Sequence, residues 1–96
     1  MSVYLDYNAS APVRPQAAQA AAEALAAGGN PSSVHAAGRA ARARVEAARA
    51  EVARLIGAPA STVVFTSGGT EANALAIESA VVAGARRLIV LSLIHI

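Results

Sequence analysis

The chain contains no cysteine, no lysine and no tryptophan, and aromatic residues make up only 3% of it. The absence of cysteine excludes disulfide bonds and thiolate chemistry within these residues. All eight basic residues other than histidine are arginines, and the formal net charge is only +2. These arginines are interleaved with glutamates, which is typical of solvated helix faces, so we expect no nucleic-acid partner. Without cysteine or paired histidines, we also expect no metal site.

Few bulky residues are available to build a hydrophobic core. Apolar residues account for 55% of the 96 residues, but many of them are alanine, which buries little area. A domain of this size already buries a low fraction of its surface, so we expect the chain to be part of something larger. It shows neither a secretion signal nor an apolar run long enough to span a membrane. These features favour a soluble, cytoplasmic protein without membrane partners.

The stretch at 63–77 carries the most informative pattern. The β-branched and aromatic residues at 62–66 predict a short buried strand, and the alanine-rich segment from about Thr70 predicts a helix. Between them, the Ser-Gly-Gly sequence at 67–69 predicts a turn whose backbone is open to a ligand. Such a turn before a helix N-terminus suits a phosphate or a carboxylate, with added hydroxyl donors from Ser67 and Thr70. An ordinary strand–helix turn, with one of these two side chains as the N-cap, explains the pattern equally well.

Further helices and a second strand are predicted around this stretch. The alanine-rich segment 16–27 predicts a helix closed by glycines, and 33–56 predicts a long helix with a serine cap at its start. Gly38 lies inside the second helix, where it costs about 1 kcal/mol relative to alanine unless something packs closely against it. The apolar run 88–91 predicts a strand. Strand, helix and strand at this spacing predict a parallel βαβ unit, and hence an α/β fold.

Polar residues outside this unit have weaker signals. Asp6, Asn8 and Ser10 share one irregular segment, for which an Asx-type turn is the simpler explanation. His35 lies at a helix start, where a lone histidine is more often structural than catalytic. His95 lies in a terminal apolar tail, and we assign it no role.

Three blocks in series resemble one enzyme family. They are YLDYNASAPV at 4–13, GNPSSVHAAG at 29–38 and FTSGGTEAN at 65–73. In this order they are similar to the N-terminus of the cysteine desulfurases of the NifS/IscS type. Those are pyridoxal-phosphate enzymes of the class V aminotransferase group, and the resemblance covers roughly residues 3–90.

The resemblance implies the large domain of an aspartate-aminotransferase-type α/β fold and a homodimer. It also implies pyridoxal 5'-phosphate as cofactor and L-cysteine as substrate, with L-alanine as product. The released sulfur would be held as a persulfide and passed to a sulfur-acceptor or scaffold protein, for iron–sulfur cluster or thiocofactor assembly.

The resemblance further implies roles for residues in each block. In that family the Ser-Gly-x-Thr turn binds the cofactor phosphate through backbone N–H groups and the threonine hydroxyl, and this role corresponds to Gly69 and Thr70. Glu71 and Asn73 match the motif and are expected to hold the helix start. Four residues are expected on the substrate side of the site, the last two of them in a loop reaching toward the partner subunit: Asn8, Ala9, Asn30 and His35.

The chain also departs from the family. It has no lysine to hold the cofactor as a Schiff base and no cysteine to take the sulfur. The tail at 91–96 does not follow the family pattern. We therefore expect residues 1–96 to be a truncated N-terminal portion of a class V aminotransferase domain, without catalytic residues of its own and inactive alone.

Two other interpretations remain open. The complete protein could be another class V enzyme, such as a selenocysteine lyase or an aminotransferase, which only the missing C-terminal part distinguishes. Alternatively, the chain could be a non-enzymatic remnant or interaction module that keeps the first layer of the fold, and the absent lysine supports this for the chain taken literally.

Overall fold

A computed structural model describes residues 2–91 of the chain. These residues form three α-helices and one 3-10 turn, and the chain divides into two compact units, Met1–Val63 and Val64–Ile96. Apart from Leu91, the predicted tail at 91–96 lies outside the described residues, as does His95. The helices are α1 (Pro15–Ala27), α2 (Ala36–Ile56) and α3 (Gly69–Val82), and the 3-10 turn is Ala60–Thr62.

Helix α1 forms where the alanine-rich segment predicted it. Pro15 occupies its first turn, where a missing N–H costs nothing because that donor has no partner inside the helix. The helix ends at Gly28, whose φ of 63° lies in the left-handed region and whose N–H donates to the Ala24 carbonyl. The predicted glycine end is therefore confirmed.

Helix α2 begins three residues later than predicted, at Ala36, and no side chain caps it. The predicted serine cap is wrong because the serine hydroxyl is used in a turn before the helix. Ser33 Oγ accepts a hydrogen bond from the His35 N–H at 3.2 Å, and the Ser33 N–H donates to the Asn30 carbonyl at 2.9 Å. The end of α2 is as predicted, because Gly57 adopts a φ of 68° after the last helical residue.

Gly38 is the residue of α2 against which this turn packs. It is buried, and a Cβ atom built on it would lie 2.6 Å from the Asn30 carbonyl oxygen, from Ser33 Cβ and from the Ser33 carbonyl oxygen. No side chain fits there without a shift of backbone. The close approach accounts for a glycine inside a helix, where it otherwise lowers stability.

The variant Gly38→Ala is expected to loosen this turn although alanine is the better helix former. Overpacking of this kind costs about 1–3 kcal/mol, which exceeds the gain of about 1 kcal/mol from helix propensity. Hydrogen exchange of the Ser33 amide measures the effect and should become faster. Gly69→Ala is the matched control, because a Cβ atom there meets nothing within 4 Å. Unchanged exchange in Gly38→Ala would contradict the close packing.

The core of the first unit is small. Ala53 and Val63 are its buried apolar residues, with exposed fractions of 3% and 9%. The 3-10 turn packs on α2, and the Arg49 guanidinium donates a hydrogen bond to the Val63 carbonyl. Arg49 Nε also lies 3.3 Å from Glu46 Oε2, three residues earlier in the same helix. Many large apolar side chains in the described residues stay exposed, among them Leu55.

The predicted strands at 62–66 and 88–91 are not formed in this chain. Residues 63–66 and 85–91 are non-helical, and no residue from 2 to 91 lies in a strand. Thr62 belongs instead to the 3-10 turn, because both its N–H and its hydroxyl donate to the Pro59 carbonyl. A strand requires a neighbour that completes its hydrogen-bond ladder, and no such pairing exists within these residues. The βαβ unit expected for an α/β fold is therefore not observed, whereas the turn and the helix after it are.

No helix among residues 2–91 combines the length and apolar character needed to cross a membrane. The same residues hold no cluster of three or more histidine, cysteine, aspartate or glutamate side chains that could ligate a metal ion.

Candidate functional site

The N-terminus of α3 presents backbone donors without partners. Within the described residues, the first hydrogen bond of the helix runs from the Ala72 N–H to the Gly68 carbonyl, at 3.1 Å. The N–H groups of Gly69, Thr70 and Glu71 therefore donate to no group in that part of the chain. Gly68 is the N-cap and no side chain caps the helix, so the predicted cap by Ser67 or Thr70 is wrong. These N–H groups carry the partial positive charge of the helix end and suit an anion.

The two glycines of this turn are not required by its backbone geometry. Gly68 has a φ of 171°, which is extended backbone open to any residue, and Gly69 is not among the glycines with a positive φ. A Cβ atom built on either residue meets nothing within 4 Å. The physical effect of the pair is therefore to keep side chains away from the donors, so that a ligand can approach the backbone closely.

Glu71 folds back over the turn. Its Oε2 atom accepts a hydrogen bond from the Ser67 N–H at 2.9 Å and another from the Ser67 hydroxyl. On the other side of the turn, Thr66 Oγ1 donates to the Gly68 carbonyl at 3.0 Å. The expected role of Glu71 at the helix start agrees with this geometry. Both Ser67 donors are therefore already used. Within residues 2–91, the Thr70 hydroxyl is the side-chain donor of the turn that has no hydrogen-bond partner.

The hydrogen bonds of Glu71 favour its charged form. The Ser67 hydroxyl, and secondly the Ser67 N–H, lower the pKa of the Glu71 carboxyl. A carboxylate with a lowered pKa stabilises the folded state fully above its ordinary pKa, and this contribution is lost as the pH falls through the lowered value. At neutral pH the turn is therefore held by a charged group.

Asn8 and Ala9 lie in an exposed turn of the first unit. The Ala9 and Ser10 N–H groups both donate to the Asp6 carbonyl, at 3.1 and 3.3 Å, and the Tyr4 hydroxyl donates to the same oxygen at 2.8 Å. A backbone carbonyl thus closes the turn, rather than the Asx side chain that the sequence suggested. The Asn8 side chain makes no hydrogen bond within residues 2–91 and is available to a ligand.

Asn30 and His35 lie together in the loop that packs on Gly38. Asn30 Oδ1 accepts a hydrogen bond from the Ser32 N–H at 3.0 Å, so this carboxamide shapes the loop and leaves its Nδ2 donors uncommitted in the described chain. The His35 imidazole is exposed and forms no hydrogen bond there. Asn8 and Ala9 thus share one turn, and Asn30 and His35 share one loop, but no hydrogen bond or ion pair among the described residues connects the turn to the loop.

Two side-chain interactions, one at the start of α3 and one on α2, were not predicted from the sequence. Glu71 lies four residues after Ser67, one more than the spacing of a capping box, so the pattern did not specify their contact. Arg49 pairs with Glu46 within α2, but its bond to the Val63 carbonyl spans 14 residues. Local spacing holds no signal for the second of these contacts.

The N–H groups at 69–71, which have no partner within residues 2–91, form a helix N-terminus of the kind that suits an anion. Residues 3–95 match the family described as Aminotransferase class-V, and the chain belongs to this family. Enzymes of this family depend on pyridoxal phosphate. The resemblance identified from the three sequence blocks is thereby confirmed.

The chain is similar to named enzymes of two kinds. It is 50% identical to the selenocysteine lyase of Rattus norvegicus over 80 residues, which cover 82% of this chain and 18% of the relative. It is 47% identical to the cysteine desulfurase IscS of Dictyoglomus turgidum over 77 residues, covering 79% and 20%. It is also 50% identical to the cysteine desulfurase of Cereibacter sphaeroides over 96 residues, covering 97% and 25%. The chain thus spans 18% to 25% of the length of these relatives, and no solved structure matches it.

Proposed function

We propose that the chain is the N-terminal, cofactor-phosphate-binding portion of a pyridoxal-phosphate-dependent cysteine desulfurase. The complete protein would convert L-cysteine to L-alanine and transfer the sulfur, as a persulfide, to an acceptor or scaffold protein. The observation that carries the proposal is the uncapped N-terminus of α3, with free amides at Gly69 and Thr70 in a chain that matches the family along its length. A cytoplasmic homodimer is the proposed setting.

The donor set of this turn fits the phosphate of pyridoxal phosphate. The N–H groups of Gly69 and Thr70 and the Thr70 hydroxyl would hold the phosphate oxygens, and the absence of side chains at 68–69 leaves room for close approach. Charge-assisted bonds of this type are stronger than neutral ones, so they would anchor the cofactor. Once bound, pyridoxal phosphate supplies an electron sink for the substrate's α-carbon.

The remaining predicted residues are proposed on the substrate side of the complete site. The Asn8 carboxamide and the Asn30 Nδ2 group offer donors to a substrate carboxylate, and the exposed His35 imidazole offers two ring nitrogens for hydrogen bonds to a substrate. Ala9 would contribute its backbone carbonyl and a small side chain next to Asn8. These roles rest on the family match and on the uncommitted state of the polar groups within residues 2–91.

The strands predicted at 62–66 and 88–91 belong to the same proposal. In the complete protein, the extended segments on either side of α3 would pair with each other and with later strands of an α/β sheet. Parallel strands require neighbouring strands, because these complete their backbone hydrogen bonds. They also require covering helices, because both faces of a parallel sheet are buried. The strand, turn and helix would then place the phosphate-binding amides at a carboxyl edge of that sheet.

Selenocysteine lyase is a second candidate for the complete protein. The match to the selenocysteine lyase of Rattus norvegicus, at 50% identity over 82% of this chain, favours it as strongly as the desulfurase matches favour the first candidate. Both substrates carry a chalcogen on the β-carbon, and the phosphate site proposed above serves either enzyme. Only residues outside this chain would separate the two, by providing or lacking a cysteine that accepts sulfur.

The variant Thr70→Val is expected to weaken phosphate binding by about tenfold to a hundredfold. Valine keeps the shape of threonine but removes a hydrogen bond to a charged group, which is worth about 1.5–3 kcal/mol. The measurement is a titration of the ¹⁵N-labelled chain with inorganic phosphate, which follows the amide shifts of Gly69 and Thr70. Ser79→Ala is the matched control, because it removes a hydroxyl near the other end of α3. Equal affinities for the two variants would contradict the proposed role of Thr70.

A further inference from the structure

The turn before α3 combines conformational freedom with a fixed shape. Two consecutive glycines at 68–69 lose more backbone entropy on ordering than any other pair of residues. Their own backbone angles do not hold them in place, since neither lies in a strained region. What fixes the turn is a set of side-chain bonds across it, of which those from Glu71 to Ser67 join the two ends.

We propose that Glu71 is a positioning residue for the phosphate site, and this inference rests on the function proposed above. By accepting both Ser67 donors on one oxygen, Glu71 holds the glycine pair in the conformation that leaves the Gly69 and Thr70 amides open. It does not contact the phosphate. The cost of ordering the turn is met before the ligand arrives, which is the general route by which preorganisation raises affinity.

The negative charge of Glu71 disfavours phosphate binding, whereas its hydrogen bonds with Ser67 favour it by fixing the turn. A carboxylate near an anion site repels a phosphate, so its presence at this position needs a compensating effect. Within the described residues, no arginine or histidine pairs with Glu71, and its bonds go to Ser67 alone. The compensating effect is therefore the shape of the turn, and it depends on an acceptor at this position rather than on a negative charge.

A pair of neutral variants separates shape from charge. Glu71→Gln and Glu71→Ala both remove the carboxylate, but only glutamine keeps an oxygen that can accept from Ser67. Titration of the ¹⁵N-labelled 96-residue chain with inorganic phosphate gives the dissociation constant from the Gly69 and Thr70 amides. We expect the alanine variant to bind at least about fivefold more weakly than the glutamine variant, because it loses both bonds from Ser67 and one ordinary hydrogen bond alone has an effect of that size. Glutamine should bind at least as tightly as the native residue, because the repulsion is gone.

The ¹³Cα shifts of α3 accompany each titration and report whether the helix is retained. A difference of at least about fivefold between the variants with equal α3 shifts supports the positioning role, because a purely structural cap would change the helix. Equal affinities of the glutamine and alanine variants, or a difference that follows loss of α3, would overturn the role while leaving the phosphate site intact. If phosphate shifts neither amide in the native chain, the phosphate site itself is wrong, and the role of Glu71 is overturned with it.

Discussion

The 96-residue chain, mixed with pyridoxal phosphate and L-cysteine, is expected to release no more sulfide than the free cofactor does. It has no lysine to hold the cofactor covalently and no cysteine to accept the sulfur. The phosphate contacts proposed at α3 would hold a cofactor, but binding alone does not stabilise a transition state. Sulfide release is measured with a colorimetric assay. A rate above that of the free cofactor would contradict the expectation that the reaction requires the lysine and the cysteine that this chain lacks.

A chimera provides the positive arm of this experiment. Residues 3–90 would replace the matching segment of the Cereibacter sphaeroides cysteine desulfurase, which is 50% identical to this chain. We expect the chimera to bind pyridoxal phosphate and to release sulfide, because the rest of its chain comes from a cysteine desulfurase. The same chimera with Thr70→Val should show less absorbance from bound cofactor, while its circular dichroism shows that it is still folded. A folded chimera that binds no cofactor would contradict the proposed function.

Thermal unfolding of the isolated chain is expected to be broad and weakly cooperative. The far-UV circular dichroism should show helix, since residues of α1, α2 and α3 fill much of the chain. The buried apolar residues are only Ala53 and Val63 in the described part, so little tertiary burial couples the helices. Helix propensity alone does not supply a cooperative transition. Exposed apolar segments around α3 should also promote association at high concentration.

The melt of the chimera is the matched reference for this prediction. With the rest of a complete enzyme present, the same segment should unfold in a sharp transition. A sharp two-state transition of the isolated chain above about 60 °C would contradict the expectation, because that is the upper range for ordinary domains. The interaction-module interpretation would then replace the fragment interpretation.

The helices were predictable because their signals are local. Proline at the start of α1 and the glycines after α1 and α2 act through the backbone angles of single residues, so they need no tertiary context. The turn into α3 was predictable for the same reason. Boundaries shifted where side chains competed, as at Ser33, whose hydroxyl serves the turn and not the helix.

The strands were not predictable for this chain because their formation depends on other residues. The β-branched run at 63–66 has the composition of a strand, but backbone hydrogen bonds to a neighbour decide whether one forms. The contact of Glu71 with Ser67 and that of Arg49 with the Val63 carbonyl also escaped the analysis of spacing. Of the candidate site, the motif at 65–73 therefore predicted the turn, the helix after it and a role for Glu71 at the helix start, but not the contact of Glu71 with Ser67.

Gly68 and Gly69 are glycines that the fold of the chain does not require. Folding does not require glycine at either position, since their backbone angles suit other residues and added methyl groups would meet no atoms within 4 Å. A chain that had lost its cofactor would be free to replace them, and Gly69 in particular would gain helix propensity by changing to alanine. Two glycines that the fold does not require are what close approach of a ligand to the backbone of the proposed site would require. Variant libraries selected first for folding and then for cofactor binding would show this directly, with glycine recovered at 68–69 only in the second selection.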